Sequence, residues 1–392
     1  MMSERPKILI VDDEPFNVDY LEQELEDLEY ETVSAANGEE GLQQVVATQP
    51  DMILLDIMMP VMDGFQMLEK LKDEPDWRDI PVVIISAMND MNSVVRGIQL
   101  GADDYLPKPF DPVLLKARLD AGLMRKRLRD LEKQYLAGLE KELEIGHNIQ
   151  LSFLPTELPK IDGWEVAASL KAAREVAGDF YDVFEVDESL CLVIGDVCDK
   201  GVGAALFMTL FRSLLRFTIT AKNSSNTLSP AEKLNHAVTL TNNYVANIHG
   251  DTGMFATVFI GLLNPKDGKL SYINAGHERP LFISGNGKGQ QELKSTGIAV
   301  GVMPDWDFSV EEIALEYGDL LFAYTDGVPD VTDIDENLFG KNQLFEILGS
   351  KIRSAPDLIS EINNALTAHI GEAKQFDDIT MMAVKRLKEN NA

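Results

Sequence analysis

Short apolar runs alternate with helix-like segments over the first third of the chain. The runs KILIVDD, ETVSAAN, DMILLDI and PVVIISA read as strands, and residues 21–28 and 42–46 carry apolar positions at helical spacing. Near-continuous apolar runs are typical of parallel strands buried on both faces, and their alternation with helices is typical of a helix-covered parallel sheet. The pattern predicts an α/β first domain, a doubly wound parallel sheet of five strands.

The next segment, residues 114–150, is charged and poor in glycine. Its apolar positions recur every three or four residues, at Leu128, Leu131, Tyr135, Leu139 and Leu143. This spacing predicts one long amphipathic helix, which Pro155 and Pro159 end. The narrow apolar line fits a dimerising coiled coil, and it also fits a helix packed on its own domain.

The rest of the chain predicts an α+β domain. Strand-like runs such as LCLVIGDV, MFATVFIGLL and DLLFAYTD are separated by turn signals, and helical segments are expected at 204–218, 230–248 and 341–370. Strands joined by such turns pair as hairpins, which favours antiparallel sheets. With 392 residues the chain exceeds one hydrophobic core. We expect a domain at 5–122, a helical linker at 123–150 and a second domain at 151–388.

Composition narrows the classes of function. The formal net charge is −30, which disfavours binding to nucleic acid or to anionic membranes, and no long apolar stretch that could cross a bilayer is expected. The N-terminus runs directly into the first strand, so no signal peptide is expected and a cytoplasmic location is predicted. Cys191 and Cys198, the two cysteines of the sequence, are expected to be free thiols.

Polar residues end the strands predicted for the first domain. Asp12 and Asp13 end the first run, Asp56 the third, Ser86 the fourth and Lys108 the fifth. In a doubly wound sheet these positions meet at one edge. Carboxylates are hard oxygen ligands that suit Mg²⁺, and a lysine beside them would neutralise a phosphoryl group. Because carboxylates can attack phosphorus, Asp56 is the candidate phosphate acceptor.

The motifs LIVDDEP, LLDIMMPVMDG, ISA and KPF resemble the receiver domain of bacterial response regulators (CheY-like). The resemblance implies a two-component system, with a sensor histidine kinase or another phosphodonor as partner and with Asp56 as the phosphorylated residue. It also implies a cis Lys108–Pro109 bond and two sets of residues. The Mg²⁺ ligands would be Asp12, Asp13, Asp56 and the Met58 carbonyl, and the switch residues Ser86, Tyr105 and Lys108.

Aspartates recur beside glycines or at strand ends in the second domain. They are Asp179, Asp182, Asp196, Asp326, Asp377 and Asp378. Singly, each is typical of a turn or a helix cap. As a set without histidine or cysteine partners they indicate Mg²⁺ or Mn²⁺, and two such ions can activate water for attack on phosphorus.

The motifs EVAGDFYD, GDVCDKGVGAALFM, INAGHERPL, YTDG and FDDIT resemble bacterial PP2C-like (PPM-type) serine/threonine phosphatases of the sporulation and stress-response class. The resemblance implies two antiparallel sheets sandwiched by helices. It also implies that Asp196 bridges two Mn²⁺ or Mg²⁺ ions, that the Val197 carbonyl, Asp326 and Asp377 complete the ligands, and that Asp179 holds water at the metals.

Four points of this second resemblance stay open. Asp378 is either a ligand or a residue that supports the ligands, and Arg174 either contacts the substrate phosphate or is a surface arginine. His277 is either an acid near the leaving group or a structural imidazole. The sequence GVPDV follows the TDG motif where the family has a hydroxyl and an acid, so Pro329 puts the local geometry in doubt.

Together the two resemblances imply a response regulator whose output domain dephosphorylates a protein in partner switching. The implied substrate is a phosphorylated anti-sigma-factor antagonist, and the phosphorylation state of Asp56 would act through the linker helix. The alternative is a non-catalytic adaptor that keeps the PP2C-like fold only to bind a partner. An adaptor is expected to have lost ligands, whereas Asp196, Asp326 and Asp377 are all present. A DNA-binding regulator is disfavoured, because the sequence offers no basic recognition helix.

Overall fold

The structure is a computed structural model that describes residues 5–87, 91–221, 228–285, 289–349 and 354–387. The chain divides into two compact units, residues 1–140 and 141–392. The end predicted for the second domain, residue 388, lies outside the described residues.

The first unit contains a parallel sheet of five strands in the order β2-β1-β3-β4-β5. Its strands are β1 (Lys7–Val11), β2 (Glu31–Ala35), β3 (Met52–Asp56), β4 (Val82–Ala87) and β5 (Asp104–Lys108). The order reverses direction at β1, which is the topology of a doubly wound fold. The predicted fold class of this domain is confirmed.

Helices cover both faces of this sheet. They are α1 (Pro15–Asp27), α2 (Gly38–Thr48), α3 (Gly64–Asp73), α4 (Met91–Gln99) and α5 (Pro112–Phe153). Side chains alternate along β1, so that Leu9 packs in the core with α2 and α3, while Ile8 packs in the core with α1 and α5. Because both faces of β1, β3 and β4 are buried, the sequences of these three strands are almost entirely apolar, whereas β2 and β5 are partly exposed and carry polar residues.

The predicted long helix is present, and it is longer than expected. It starts inside the first domain at Pro112 and runs without a break to Phe153. Leu115 and Leu119 anchor its first turns in the receiver core. Further along, Lys126 pairs with Asp51 at 2.5 Å. Many apolar side chains of the later turns are exposed, among them Leu128, Leu131, Tyr135 and Leu139.

The second unit contains two antiparallel sheets of five strands, in the orders β13-β10-β9-β8-β7 and β12-β11-β14-β15-β6. The strands of the first sheet are β7 (Phe180–Val186), β8 (Ser189–Val197), β9 (Ala256–Leu263), β10 (Lys269–Ala275) and β13 (Glu311–Ala314). Those of the second are β6 (Trp164–Lys171), β11 (Leu281–Ile283), β12 (Gln290–Glu292), β14 (Leu320–Tyr324) and β15 (Ile379–Arg386). Its described helices of more than one turn are α6 (Val202–Thr220), α7 (Pro230–Ile248), α8 (Gly340–Gly349) and α9 (Ala355–Ile370).

Three apolar layers hold this unit together. One lies between the two sheets, for example Ile194 against Ala323 and Met382. The others lie outside the sheets, where α6 and α7 cover the first sheet and α8 and α9 cover the second. The arrangement is the predicted pair of antiparallel sheets sandwiched by helices. The helical segment expected at 341–370 is two helices, because Ser354 caps a new one through the Asp357 N–H, with Pro356 in its first turn.

Among the described helices, Val202–Thr220 is long and apolar enough to cross a membrane by length and composition alone. The expectation that no such stretch exists was therefore wrong. The helix is apolar because Met208, Phe211 and Leu215 are buried in the core against the first sheet. The core helix of a globular domain passes the same test, so this finding is weak evidence for a membrane span.

Candidate functional sites

The predicted receiver residues meet at one edge of the parallel sheet. The ammonium group of Lys108 lies 2.7 Å from Oδ1 of Asp56 and 3.0 Å from Oδ2 of Asp12. The second oxygen of Asp56 accepts a hydrogen bond from the Met58 N–H at 2.9 Å. Burial raises the pKa of Asp56, and the hydrogen bond from Lys108 opposes that shift. The structure therefore brings together an acidic pair and a cation, as the strand ends predicted.

The remaining receiver residues differ in their surroundings. Asp13 is exposed beside the buried Asp12. Ser86 is buried, and its hydroxyl has no hydrogen-bond partner among the described residues. Tyr105 is partly buried, with the guanidinium of Arg118 5.6 Å from its ring centre. The Lys108–Pro109 bond is cis, which confirms that expectation.

The acidic residues of the second unit come from four remote segments that end at the same place. The β7–β8 hairpin pairs Phe180 with Gly195, which puts Asp179 and Asp196 on neighbouring strands. In the other sheet, Thr325 and Thr380 exchange hydrogen bonds at the ends of β14 and β15. Asp326 follows the first of these threonines, and Asp377 and Asp378 precede the second.

Gly327 explains how closely the last two segments approach. A Cβ atom at this position would lie 1.8 Å from the carbonyl oxygen of Asp378 and 3.4 Å from Cβ of Asp377. Only glycine fits in that space, since real Cβ atoms keep van der Waals distances from backbone oxygens. The TDG motif is therefore a packing requirement of the site as well as a source of Asp326.

Asp179 is almost fully buried and is fixed by two hydroxyl groups. Its Oδ2 accepts hydrogen bonds from Thr380 at 2.6 Å and from Thr325 at 2.7 Å. Burial and the nearby Asp196 raise its pKa well above the ordinary value, against the effect of the two hydroxyls. The threonines were missed in the sequence, although Thr325 directly precedes Asp326 and Thr380 follows Asp378 by two positions.

Asp196 is the aspartate of the cluster whose pKa is affected by Asp326, Asp377 and Asp378. Burial raises its pKa to about 7, and the charges of Asp326, Asp377 and Asp378 add to the shift, against a hydrogen bond with Asp179. Burial, Asp377 and Asp330 raise the pKa of Asp326 in the same way. Carboxylates raise one another's pKa only at close range. The predicted ligands therefore form one acidic site, with the Val197 backbone beside it.

Asp377 and Asp378 have different surroundings. Asp377 Oδ1 accepts the Asp378 N–H at 2.9 Å, and its Oδ2 pairs with the ammonium group of Lys200 at 2.8 Å. Asp378 is buried, and its two oxygens accept the backbone N–H groups of Ala173 and Gly178, each at 2.7 Å. Asp378 thus fastens the segment that carries Arg174 and Asp179.

The other candidates divide into a rim residue and a core residue. Arg174 is exposed, and its guanidinium lies beside Gly201 at the start of α6. His277 is buried. Its ring Nδ1 lies 2.8 Å from the Thr257 hydroxyl, and its backbone N–H donates a hydrogen bond to Asn274 Oδ1. Burial lowers the pKa of His277 to about 3, so the imidazole is neutral. These surroundings favour the structural alternative for His277.

Asp182 does not join the acidic site, contrary to its grouping with the other aspartates. Asp182 lies on β7, three residues beyond Asp179, and its side chain faces α6 and not the acidic site. There it pairs with Arg212 at 2.8 Å, and both its oxygens accept hydrogen bonds from Arg216. The reason is the alternation of side chains along a strand, which a motif read as letters does not reveal.

The donor chemistry of the acidic site fits a hard divalent cation, since its donors are carboxylate oxygens and backbone carbonyls. As the described side chains stand, no three His, Cys, Asp or Glu residues are grouped to hold an ion. In both sites a lysine ammonium group forms an ion pair with a carboxylate. Lys108 pairs with Asp56 in the receiver, and Lys200 pairs with Asp377 in the second unit. Cys191 and Cys198 are free thiols, as expected.

The folds and the two sites define a response regulator with a phosphatase-type output domain. A model of the response regulator receiver domain matches residues 8–120. The family model of stage II sporulation protein E (SpoIIE) matches residues 186–387, just over half of the chain. The chain belongs to the SpoIIE family and carries a receiver domain, which confirms both resemblances.

Similar proteins support this assignment. The chain is 44% identical over 263 residues to protein IcfG of Synechocystis, a match to 62% of this chain and 41% of that protein. It is 25% identical over 260 residues to the phosphoserine phosphatase RsbU of Bacillus subtilis, covering 65% of this chain and 74% of RsbU. The SiaA-PP2C domain of Pseudomonas aeruginosa has the same fold, with a TM-score of 0.54 and 22% identity over 65% of this chain and 99% of that domain. The chain spans about two to three fifths of the first curated relatives it matches.

Proposed function

We propose that this protein is a cytoplasmic response regulator whose output domain removes phosphate from phosphoserine or phosphothreonine of a protein substrate. The observation that carries the proposal is the convergence of Asp179, Asp196, Asp326 and Asp377 from four remote segments, where burial and neighbouring carboxylates raise the pKa values of Asp179, Asp196 and Asp326. Clusters of carboxylates with raised pKa values are typical of functional sites.

The residues have distinct roles in this proposal. Asp196, Asp326, Asp377 and the Val197 carbonyl would hold two Mn²⁺ or Mg²⁺ ions, which would supply charge neutralisation at the phosphate and an acidified water. Asp179, held by its two threonines, would position a water molecule at the site. Asp378 positions the segment that carries Asp179, and Arg174 on the exposed rim binds the substrate phosphate.

In the receiver, Asp56 takes the phosphoryl group from a sensor histidine kinase or another phosphodonor. Asp12, Asp13 and the Met58 carbonyl hold Mg²⁺ with Asp56, and Lys108 neutralises the added charge, as it does now for the carboxylates. Ser86 and Tyr105 are the switch residues, which change position when Asp56 is phosphorylated. We propose that α5 transmits it, with a homodimer through the exposed apolar line of that helix.

We further propose that the substrate is a phosphorylated anti-sigma-factor antagonist. This substrate follows from the resemblance to phosphatases of the sporulation and stress-response class, and the similarity to RsbU, whose name describes a phosphoserine phosphatase, supports a phosphoserine substrate. Boundaries at 5–122, 123–150 and 151–388 remain part of the proposal.

The test is hydrolysis of phosphoserine, phosphothreonine and phosphotyrosine peptides by the full chain with Mn²⁺ or with a chelator. We expect metal-dependent release of phosphate from the first two peptides and its loss in Asp326→Asn. Asp187→Asn is the matched control, since Asp187 is an exposed turn residue paired with Lys233. Absence of hydrolysis in the wild type, or equal rates in Asp326→Asn, would favour the adaptor alternative.

A further inference from the structure

Lys200 is fastened in the acidic site by three interactions. Its ammonium group lies 2.8 Å from Oδ2 of Asp377 and donates a hydrogen bond to the Phe376 carbonyl at 2.9 Å. It also lies 3.7 Å from the centre of the Phe376 ring, a cation–π distance. Only a quarter of the lysine side chain is exposed, whereas Phe376 is 76% exposed. The exposed aromatic ring of Phe376 thus contacts the lysine that pairs with Asp377.

This lysine is the counter-ion of a proposed metal ligand. Both oxygens of Asp377 are already engaged, Oδ1 with the Asp378 N–H and Oδ2 with Lys200. A divalent cation at Asp377 must share Oδ2 with an ammonium group or displace it. Like charges at such range repel strongly in a partly buried site, because the effective dielectric constant there is far below that of water.

We propose that Lys200 is a gate of the metal site, by which we mean a competitor of divalent cations for the carboxylate of Asp377. In the absence of divalent cations its ammonium group neutralises Asp377. It competes with the cation for that carboxylate and so sets the cation concentration at which the site fills. The proposal rests on the proposed function, because it takes Asp377 as a metal ligand.

Two features distinguish this contact from an ordinary surface ion pair. Lys266 and Glu188 form such a pair at 2.8 Å, but both side chains are more than two thirds exposed. Lys200 is instead fixed by a carbonyl and a ring as well as by a carboxylate, and its partner Asp377 is itself bonded to the N–H of the buried Asp378 within the acidic site. Removing the lysine charge should therefore act on the whole cluster.

The experiment measures Mn²⁺ binding by calorimetry without substrate, in the full chain carrying Asp13→Asn to weaken the receiver site. In Lys200→Met we expect the dissociation constant to fall roughly fivefold to tenfold, the scale of one partly buried ion pair. Lys200→Arg keeps the charge and should bind as the parent does. Lys266→Met is the matched control and should also be unchanged.

Thermal unfolding gives a second and independent readout. Without divalent cations, Lys200→Met should unfold at a lower temperature than the parent, because Asp377 loses its counter-ion. Saturating Mn²⁺ should then raise its unfolding temperature by more than it raises that of the parent. A merely structural role for Lys200 would lower both the metal-free stability and the gain from Mn²⁺.

Equal or weaker Mn²⁺ binding in Lys200→Met overturns the gate. If that variant does not fold without metal, Lys200→Gln decides by the same criterion, since its amide can still donate to the Phe376 carbonyl. If the parent itself binds no Mn²⁺, the gate and the proposed metal-dependent function both fail. Binding by the parent with unchanged affinity in Lys200→Met and Lys200→Gln overturns the gate alone.

Discussion

The carboxylate of Asp378 accepts a hydrogen bond from the backbone N–H of Gly178 over 2.7 Å, although the two residues are 200 positions apart in sequence. Its other oxygen accepts the N–H of Ala173 at the same distance. One buried side chain thereby connects the start of β15 to the segment before β7. The position of Asp179 depends on this connection.

Asp378→Asn should therefore destabilise the second domain. An asparagine offers one acceptor atom for two N–H groups, so one buried donor loses its partner, at a cost of about 2 kcal/mol. The measurement is urea unfolding followed by tryptophan fluorescence in a Trp77→Phe background, which leaves Trp164 and Trp306 as reporters of this domain. The exposed Asp187→Asn should be neutral. Unchanged stability of Asp378→Asn would contradict the assigned role.

The hydroxyl of Thr380 should stabilise the buried Asp179. Thr380→Val keeps the shape of the side chain but removes the 2.6 Å hydrogen bond, and we expect a loss of about 2 kcal/mol, with the pKa of Asp179 raised further. Thr380→Ser keeps the hydroxyl and should lose much less. Unchanged stability in Thr380→Val together with a loss in Thr380→Ser, measured by the same urea unfolding, would show that the methyl group and not the hydroxyl matters.

His277 should make the second domain less stable in mild acid. Its pKa is about 3 in the folded protein and 6.5 ordinarily, so below pH 6.5 the unfolded chain takes up a proton that the folded protein does not. The contribution of neutral His277 to the free energy of unfolding is fully present above pH 6.5. It falls by about 1.4 kcal/mol per pH unit below that value, until the pKa of the folded state is reached. The difference between the wild type and His277→Gln, measured by urea unfolding from pH 8 to pH 5, isolates this contribution. A constant difference would refute it.

Without divalent cations, Asp196 should make the second domain less stable as the pH rises, which is opposite to the effect of His277. Its pKa of about 7 exceeds the ordinary 3.8, so the folded protein binds the proton more tightly than the unfolded chain does. In a chelator, the stabilisation is present at low pH and is lost as the pH rises through 7, with a slope of about 1.4 kcal/mol per pH unit between those values. Asp196→Asn should lack this slope. Saturating Mn²⁺ should also remove it in the wild type, because a bound cation favours the ionised carboxylate; persistence of the slope would argue against a cation at Asp196.

Asp56 should be the residue that a small-molecule phosphodonor modifies. With Mg²⁺ present, intact mass spectrometry should detect one added phosphoryl group in the wild type and none in Asp56→Asn. Lys108→Ala should retain Asp56 but be modified poorly, since the cation that contacts its carboxylate at 2.7 Å is lost. Modification of Asp56→Asn to the wild-type level would place the acceptor elsewhere.

Much of the receiver domain could be predicted from the sequence, because the evidence is local. Apolar runs of β1, β3 and β4 identify buried parallel strands, and in such a sheet the residues that follow them must meet at one edge. The meeting of Asp12, Asp56 and Lys108 follows from that rule. The helix expected over residues 114–150 is α5, which begins two residues earlier, at Pro112.

The acidic site of the second domain could be predicted only in part. Its aspartates stand out because glycines and strand ends surround them, and four of them do converge. Asp182 has the same local surroundings, yet the register of β7 turns it towards Arg212 and Arg216. Which aspartates share a site is decided by strand register and by the packing of two sheets, and no short stretch of sequence contains that information.

By itself, then, the sequence determined the two fold classes, the place of Asp56 at the edge of the parallel sheet and most of the acidic residues, since these depend on local periodicity and on the chemistry of single side chains. Tertiary structure alone decided that Asp378 binds backbone N–H groups, that Thr325 and Thr380 hold Asp179, and that Lys200 pairs with Asp377. Each of these contacts joins segments remote in the chain, and its strength depends on burial, which only the folded protein defines.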